Sequence, residues 1–359
     1  MSRVYNFSAG PAALPLEVLE TIRNDIPDWQ HTGMTVMEIS HRSKEFIALA
    51  ERAEANLREL LGIPGDYSVL FTQGGATLQM SMVPMNLAGA GATVDYVVTG
   101  SWGKKAAGEA RKFCDVNVAA DASDANFTYI PDESTWQRSD DAAYLHITPN
   151  ETIAGVEFHF LPAGDTPIVA DMSSTILSRP IDVSRYGVIY AGAQKNIGPA
   201  GITVVIVRND LLERAPSNLA HLMTWRSYAE SGSMTNTPPT FAWYVADLVF
   251  RYLKERGGLA AMAEVNARKA GKLYAAIDSS GFYTNPVQKD CRSWMNVPFV
   301  LADAALDGRF LEESAAAGLT NLKGHRSVGG MRASIYNAVP EEAVDALIDF
   351  MREFERVNG

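Results

Sequence analysis

Apolar positions along the chain follow two alternating periods. Leu16, Leu19 and Ile22 recur at helical spacing between Pro15 and Pro27, which predicts a short helix opened and closed by proline. From Lys44 to Leu61, Phe46, Leu49, Ala50, Ala53, Leu57 and Leu60 share one helical face, and Gly62 ends the pattern. The period then shortens. Ser68–Phe71, Thr93–Val98, Ala142–Thr148, Ile168–Ala170, Val188–Ala191 and Ile202–Val207 are short apolar runs with Gly, Pro or polar residues at their ends, the mark of buried strands. Helices are expected to begin at Leu78 and Lys104, after Gly-containing loops. Strands that alternate with helices give an α/β domain with a mainly parallel sheet. Ligands of such sheets lie beyond the carboxyl ends of the strands.

The pattern changes after Pro238-Pro239. Thr240–Glu255 reads as one aromatic-rich helix, broken by Gly257-Gly258, and Leu259–Ile277 as a second. A strand near Met295–Val300, a helix at Asp307–Ala317, a strand at Met331–Ile335 and a last helix from Pro340 to Val357 complete a smaller α+β unit. The expected division is a large domain at 16–255, a small one at 256–359, and an irregular Gly/Pro/Ala-rich N-terminal arm at 1–15.

Composition narrows the function classes. The chain has 359 residues, 47% of them hydrophobic and 20% charged, which suits a folded protein of two domains. Its formal net charge of −11 argues against general binding to nucleic acid or anionic membranes. A site for an anionic substrate must therefore build its own positive field. Two cysteines, Cys114 and Cys291, suggest neither a disulfide framework nor a metal knuckle, so no metal site is expected. With no apolar leader-like run at the N-terminus, a cytoplasmic location is expected.

Four stretches carry candidate chemistry. In IVADMSSTILSRPIDVSRYGVIYAGAQKNIGPAG, Asp171 ends one predicted strand and Lys195 follows the next. An acid and a lysine at the same edge of neighbouring strands suit pyridoxal 5'-phosphate: the lysine forms a Schiff base, and a buried carboxylate keeps the pyridine nitrogen protonated. A strand-end cap and a solvated lysine are the simpler alternative. Gln73-Gly74-Gly75-Ala76-Thr77 joins a strand to a helix and could hold a monophosphate on backbone N–H groups, although most such turns are only turns. Trp102 lies just past a strand and could stack on a flat ring, or simply pack. His41-Arg42, His325-Arg326 and Arg332 could fork onto carboxylate or phosphate. Asn236 and Thr237, before Pro238, fit either a linker or a phosphate contact.

Ten segments, NFSAGPAALP, EISHRSKEF, VLFTQGGATLQ, TGSWGKKA, TPNETIAGVEF, VADMSS, AGAQKNIGPAG, GSMTNTPPTFAWY, RSWMNVPF and KGHRSVGGMRASIYNA, stand in the order and spacing of the phosphoserine aminotransferase family. The chain resembles that family from residue 5 to 338. The resemblance implies an aspartate aminotransferase-like fold (fold type I), with a mainly parallel seven-stranded sheet in the large domain and a smaller α+β C-terminal domain. It implies a homodimer that uses pyridoxal 5'-phosphate to transfer an amino group between L-glutamate and 3-phosphooxypyruvate, and in bacteria also acts on a phosphorylated 3-hydroxy-2-oxo acid of pyridoxine synthesis. By position, Lys195 matches the Schiff-base lysine and Asp171 the partner of the pyridine nitrogen. Trp102 matches the stacking ring, Thr152 the donor to the phenolic oxygen, and Ala76, Thr77 and Gln194 the phosphate surroundings. Asn236 and Thr237 match residues that reach the phosphate from the other subunit. His41, Arg42, His325, Arg326 and Arg332 match those that hold the substrate. Two departures stand out: Ala76-Thr77 replaces the Gly-Arg pair of some bacterial members, removing a positive charge near the substrate phosphate, and Ala9 replaces the serine of some members. Other readings are a serine– or alanine–glyoxylate aminotransferase, a cysteine desulfurase, and, from other classes, a nucleotide-dependent oxidoreductase or a non-catalytic binding protein.

Overall fold

The computed structural model describes residues 3–359, so the first two residues of the expected arm lie outside it. Seven strands form the central sheet, in the spatial order Tyr67–Thr72, Thr203–Arg208, Val188–Gly192, Ile168–Asp171, Leu145–Ile147, Thr93–Val98, Asp115–Asp121. Only Thr203–Arg208 runs against its neighbours; the other pairings are parallel. The expected α/β class and seven-stranded, mainly parallel sheet are therefore present.

Alternate residues of each strand enter different cores, as the two-residue strand period requires. Val69, Phe71, Ile189, Ala191, Val204 and Ile206 pack against helices Lys44–Leu61 and Thr240–Glu255. Leu70, Tyr96, Val169, Tyr190 and Val205 pack on the opposite side, under helices Gly75–Leu87 and Ser101–Ala110. Cover on both faces is why Ile168–Asp171 and Val188–Gly192 are buried at every position.

The sequence pattern misses the Asp115–Asp121 strand. It lies at the sheet edge and buries only Ala119, so it lacks the apolar run that marks its neighbours. Two helices begin a turn earlier than their apolar residues suggest, at Gly75 and Ser101, because their first turns carry Ala76, Thr77 and Trp102 to the site.

The C-terminal part carries an antiparallel three-stranded sheet, Tyr283–Thr284, Asn296–Leu301 and Met331–Ser334. It packs against helices Gly258–Asp278, Asp307–Ala316 and Glu341–Asn358. Helix Gly258–Asp278 spans two cores: Leu259 and Met262 join the core of the large sheet, whereas Ala270, Leu273 and Ile277 join that of the small one. Tyr5–Asn6 of the arm pairs in parallel with Leu319–Thr320, and Phe7 is fully buried in the small core. No helix among the described residues is long and apolar enough to cross a membrane.

Candidate active site

Five parallel or edge strands end at one side of the sheet, and their following segments line a single cavity of about 400 Å³. Gly75, Ala76 and Thr77 follow Tyr67–Thr72, and Trp102 follows Thr93–Val98. Thr148, Asn150 and Thr152 follow Leu145–Ile147, Ser173 follows Asp171, and Ala193, Gln194 and Lys195 follow Gly192. The antiparallel strand Thr203–Arg208 begins at this same edge, so Ala200–Ile202 close the loop that bears Lys195. That loop is tied by Ala193 N–H to the Ile202 carbonyl at 3.1 Å and by Gly198 N–H to the Ala193 carbonyl at 2.8 Å. From the C-terminal part come His325 and Arg332, and from the arm Ala9 and Gly10.

Lys195 is buried, and its Nζ donates to Thr152 Oγ1 at 2.8 Å. Burial lowers its pKa to about 8, against the pull of Asp171 and Glu151. A substantial neutral fraction at physiological pH is what a lysine needs in order to attack a carbonyl. The ammonium nitrogen is 5.9 Å from the centroid of the Trp102 ring.

Asp171 is also buried. Ser173 donates to its Oδ1 twice, from N–H at 3.0 Å and from Oγ at 2.6 Å. Burial raises its pKa, opposed by the Ser173 bonds and by the charge of Lys195. In the sheet Asp171 pairs with Tyr190, whose hydroxyl lies 2.9 Å from His146 Nε2. Burial pushes His146 down to about 3, so the imidazole is neutral.

The phosphate-loop candidate has the required backbone. Gly74 and Gly75 both have left-handed φ, 91° and 67°, and a Cβ on Gly74 would stand 2.5 Å from Leu78 Cδ2. The loop delivers the uncapped N-terminus of helix Gly75–Leu87 to the cavity, with its free N–H groups beside Thr77.

Glu151 escapes sequence reasoning. This fully buried carboxylate accepts from Trp102 N–H at 3.1 Å and Gly103 N–H at 2.7 Å, holding the start of the helix that carries Trp102. Burial pushes its pKa up to about 7, against those two amides. A Cβ on Gly100 would come within 2.2 Å of the Glu151 Cδ, so the glycine admits the acid. The available signal was an acid directly before Thr152, past a strand end, with glycines at 100 and 103.

The candidates fall into two groups. Lys195, Asp171, Thr152, Trp102, Gln194, Ala76, Thr77, His325 and Arg332 line the cavity. Arg332 Nη1 donates to the Thr152 carbonyl at 3.4 Å, and burial lowers its pKa. Ala9, in place of a serine, contributes its carbonyl, which accepts from Tyr336 at 2.9 Å. The structure does not bring His41, Arg42, Asn236, Thr237 and Arg326 to this cavity. His41 and Thr237 line a separate open groove, shared with Met37, Pro238 and Phe241. Arg42 turns its Nε to His41 at 3.4 Å, Asn236 exchanges amide bonds with Gln73 at 3.3 and 3.4 Å, and Arg326 is exposed.

The lining residues fit pyridoxal 5'-phosphate: an amine, a carboxylate, an aromatic plane, a hydroxyl and a helix N-terminus surround one space. Four buried polar atoms of lining residues, Trp102 Nε1, Thr148 Oγ1, Asn150 Oδ1 and Arg332 Nε, lack partners within the protein, as expected where a polar ligand supplies them. Neither cysteine suits a nucleophile's role, since burial raises both thiols to about 11. Among the described residues no cluster of His, Cys, Asp or Glu could hold a metal ion.

Comparison with known proteins agrees with this geometry. The family model for class-V aminotransferases matches residues 4–347. A phosphoserine aminotransferase of Hahella chejuensis is 58% identical, with 99% of each chain covered. The solved phosphoserine aminotransferase of Bacillus circulans subsp. alkalophilus is 50% identical, superposes with a TM-score of 0.97 and covers 99% of both chains. The pyridoxal phosphate-bound phosphoserine aminotransferase of Trichomonas vaginalis is 44% identical, with a TM-score of 0.94, and covers 98% of this chain and 100% of its own. With this cavity, this cofactor and these relatives, the chain belongs to the phosphoserine aminotransferase family of class-V, pyridoxal phosphate-dependent aminotransferases.

Proposed function

We propose that this protein transfers the amino group between L-glutamate and 3-phosphooxypyruvate, yielding O-phospho-L-serine and 2-oxoglutarate in alternating half-reactions. The observation that carries the reading is one cavity lined by Lys195 and Asp171 together with Arg332 and His325. When bound, pyridoxal 5'-phosphate supplies the electron-withdrawing ring that holds the charge left on the substrate carbon. Lys195 would hold its aldehyde covalently, Asp171 would pair with its ring nitrogen, Trp102 would cover its face and Thr152 would donate to its phenolic oxygen. Gly75, Ala76, Thr77 and Gln194 would surround its phosphate.

Once freed by the incoming amine, Lys195 Nζ would take the proton from the substrate Cα and return it two atoms along, on the far side of the shared nitrogen. Its lowered pKa suits both directions of that transfer. Asp171, paired with a cation, is ionised despite its raised pKa. Arg332 forks onto the substrate carboxylate, and the remaining cations accept either the glutamate side-chain carboxylate or the phosphate, so both substrates share one pocket.

The remaining candidates belong to a homodimer in this reading: Asn236, Thr237, His41 and Arg42 complete the neighbour's cavity. Support comes from the groove that gathers His41 and Thr237 on one exposed surface, with Met37 53% exposed beside them. Residues 16–255 then form the cofactor domain and 256–359, with the arm, the small domain that brings Arg332.

The decisive assay mixes the holoenzyme with 2-oxoglutarate and either phosphoserine or serine. Glutamate formation from phosphoserine at a rate far above that from serine supports the reading; equal rates sink it. Mixing Lys195→Ala subunits with His41→Ala/Arg42→Ala subunits tests the dimer. Hybrid dimers carry one intact site, so activity should recover to about a quarter of the wild-type level. No recovery would mean that these residues serve their own subunit.

A further inference from the structure

The phosphate-loop candidate Ala76-Thr77 carries no cation of its own, and one approaches it from a different element. Lys105 lies one turn beyond Trp102 on helix Ser101–Ala110. Its Nζ donates to Thr77 Oγ1 at 3.3 Å and lies 5.5 Å from the centroid of the Trp102 ring. It thus reaches two lining residues of the cavity, Thr77 and Trp102, from just outside the lining.

Helical spacing suggests another partner for Lys105. Glu109, the only acid of that helix, stands four residues on, the usual distance for an ion pair. Glu109 instead accepts from Lys112 at 2.7 Å and from Ser81 at 3.2 Å. Lys105 makes no hydrogen bond to a carboxylate, although its charge still reaches Glu109, and its Nζ turns to Thr77. In a protein of net charge −11, a free ammonium beside an open helix N-terminus is a local source of positive potential.

We propose that Lys105 is a cofactor-binding residue: it supplies a cation, from the helix that follows Trp102, that complements the phosphate of pyridoxal 5'-phosphate. The proposal rests on the reading of Ala76 and Thr77 as the phosphate loop. Its electrostatic content is modest, because the side chain is exposed and salt screens it. Its selectivity is sharp, because only a phosphorylated ligand should sense it.

The test is equilibrium binding to the apoenzyme, followed by quenching of tryptophan fluorescence, with pyridoxal 5'-phosphate and with pyridoxal as probes. The wild type should prefer the phosphorylated form. Lys105→Met should weaken pyridoxal 5'-phosphate about five-fold and flatten its salt dependence while leaving pyridoxal unchanged. Lys105→Arg should restore the wild-type preference. An unchanged preference in Lys105→Met overturns the proposal and leaves the phosphate loop standing. Equal weakening of both probes also overturns it, since Lys105 would then act through the Trp102 plane. A wild type that binds the two probes equally overturns the phosphate-loop reading and the proposal together.

Discussion

The floor and the rim of the cavity are built differently. The floor residues Asp171, Lys195, Thr152 and Trp102, with Glu151 behind them, end or follow strands of one buried sheet and bond to each other or to their own loops. The rim candidates His41, Arg42, Asn236, Thr237 and Arg326 sit on loops, partly or wholly exposed, and the chain by itself leaves them outside the cavity. Bond-making chemistry needs a fixed geometry, which a rigid sheet edge provides. Loops presented to solvent can instead be completed by another surface, so selection among substrates can depend on assembly.

Four measurements probe that contrast. Removing the floor amine should have the largest effect. Lys195→Ala should lower turnover by about 10⁴-fold or more and abolish the absorption band at about 400 nm; a variant that keeps the band would displace Lys195 from its role. Asp171→Ala should cost about 10³-fold in turnover with little change in fold. Near-normal kinetics would make this acid a structural cap on Ser173.

Arg332 joins floor to rim. Arg332→Ala should raise KM for both glutamate and phosphoserine by about ten- to a hundred-fold, and selective loss of one would break the shared pocket. The smallest effect is in pH. Only neutral Lys195 attacks an aldehyde, so the rate at which the apoenzyme captures pyridoxal 5'-phosphate should rise with pH and level off above about 8. Asp171→Asn removes the charge that favours protonated Lys195, so it should shift the midpoint down; an upward shift would contradict the coupling.

Much of the floor is legible in the sequence. Asp171 and Lys195 terminate apolar runs whose short, β-branched composition marks buried strands, and parallel strands send such ends to one edge. Trp102 and the Gly74-Gly75 turn are readable for the same reason. Glu151 is not, because nothing local distinguishes it from a solvated acid. Its meaning comes from burial and from amides at Trp102 and Gly103, which lie nearly fifty positions away in sequence. Lys105 is hidden in the opposite way: helical spacing directs it to Glu109, whereas the fold pairs Glu109 with Lys112 and sets Lys105 Nζ against Thr77.

The sequence by itself determined the α/β alternation, the reactive amine and acid, and the family, since these rest on periodicity and on contiguous motifs. The tertiary structure decided what depends on distant partners. It joined Tyr5–Asn6 to Leu319–Thr320 and buried Glu151 behind Trp102. It also brought Arg332 to Thr152 and left His41 and Thr237 in a groove of their own. Periodicity is a local property of the chain, whereas desolvation and charge pairing are fixed only when remote segments meet.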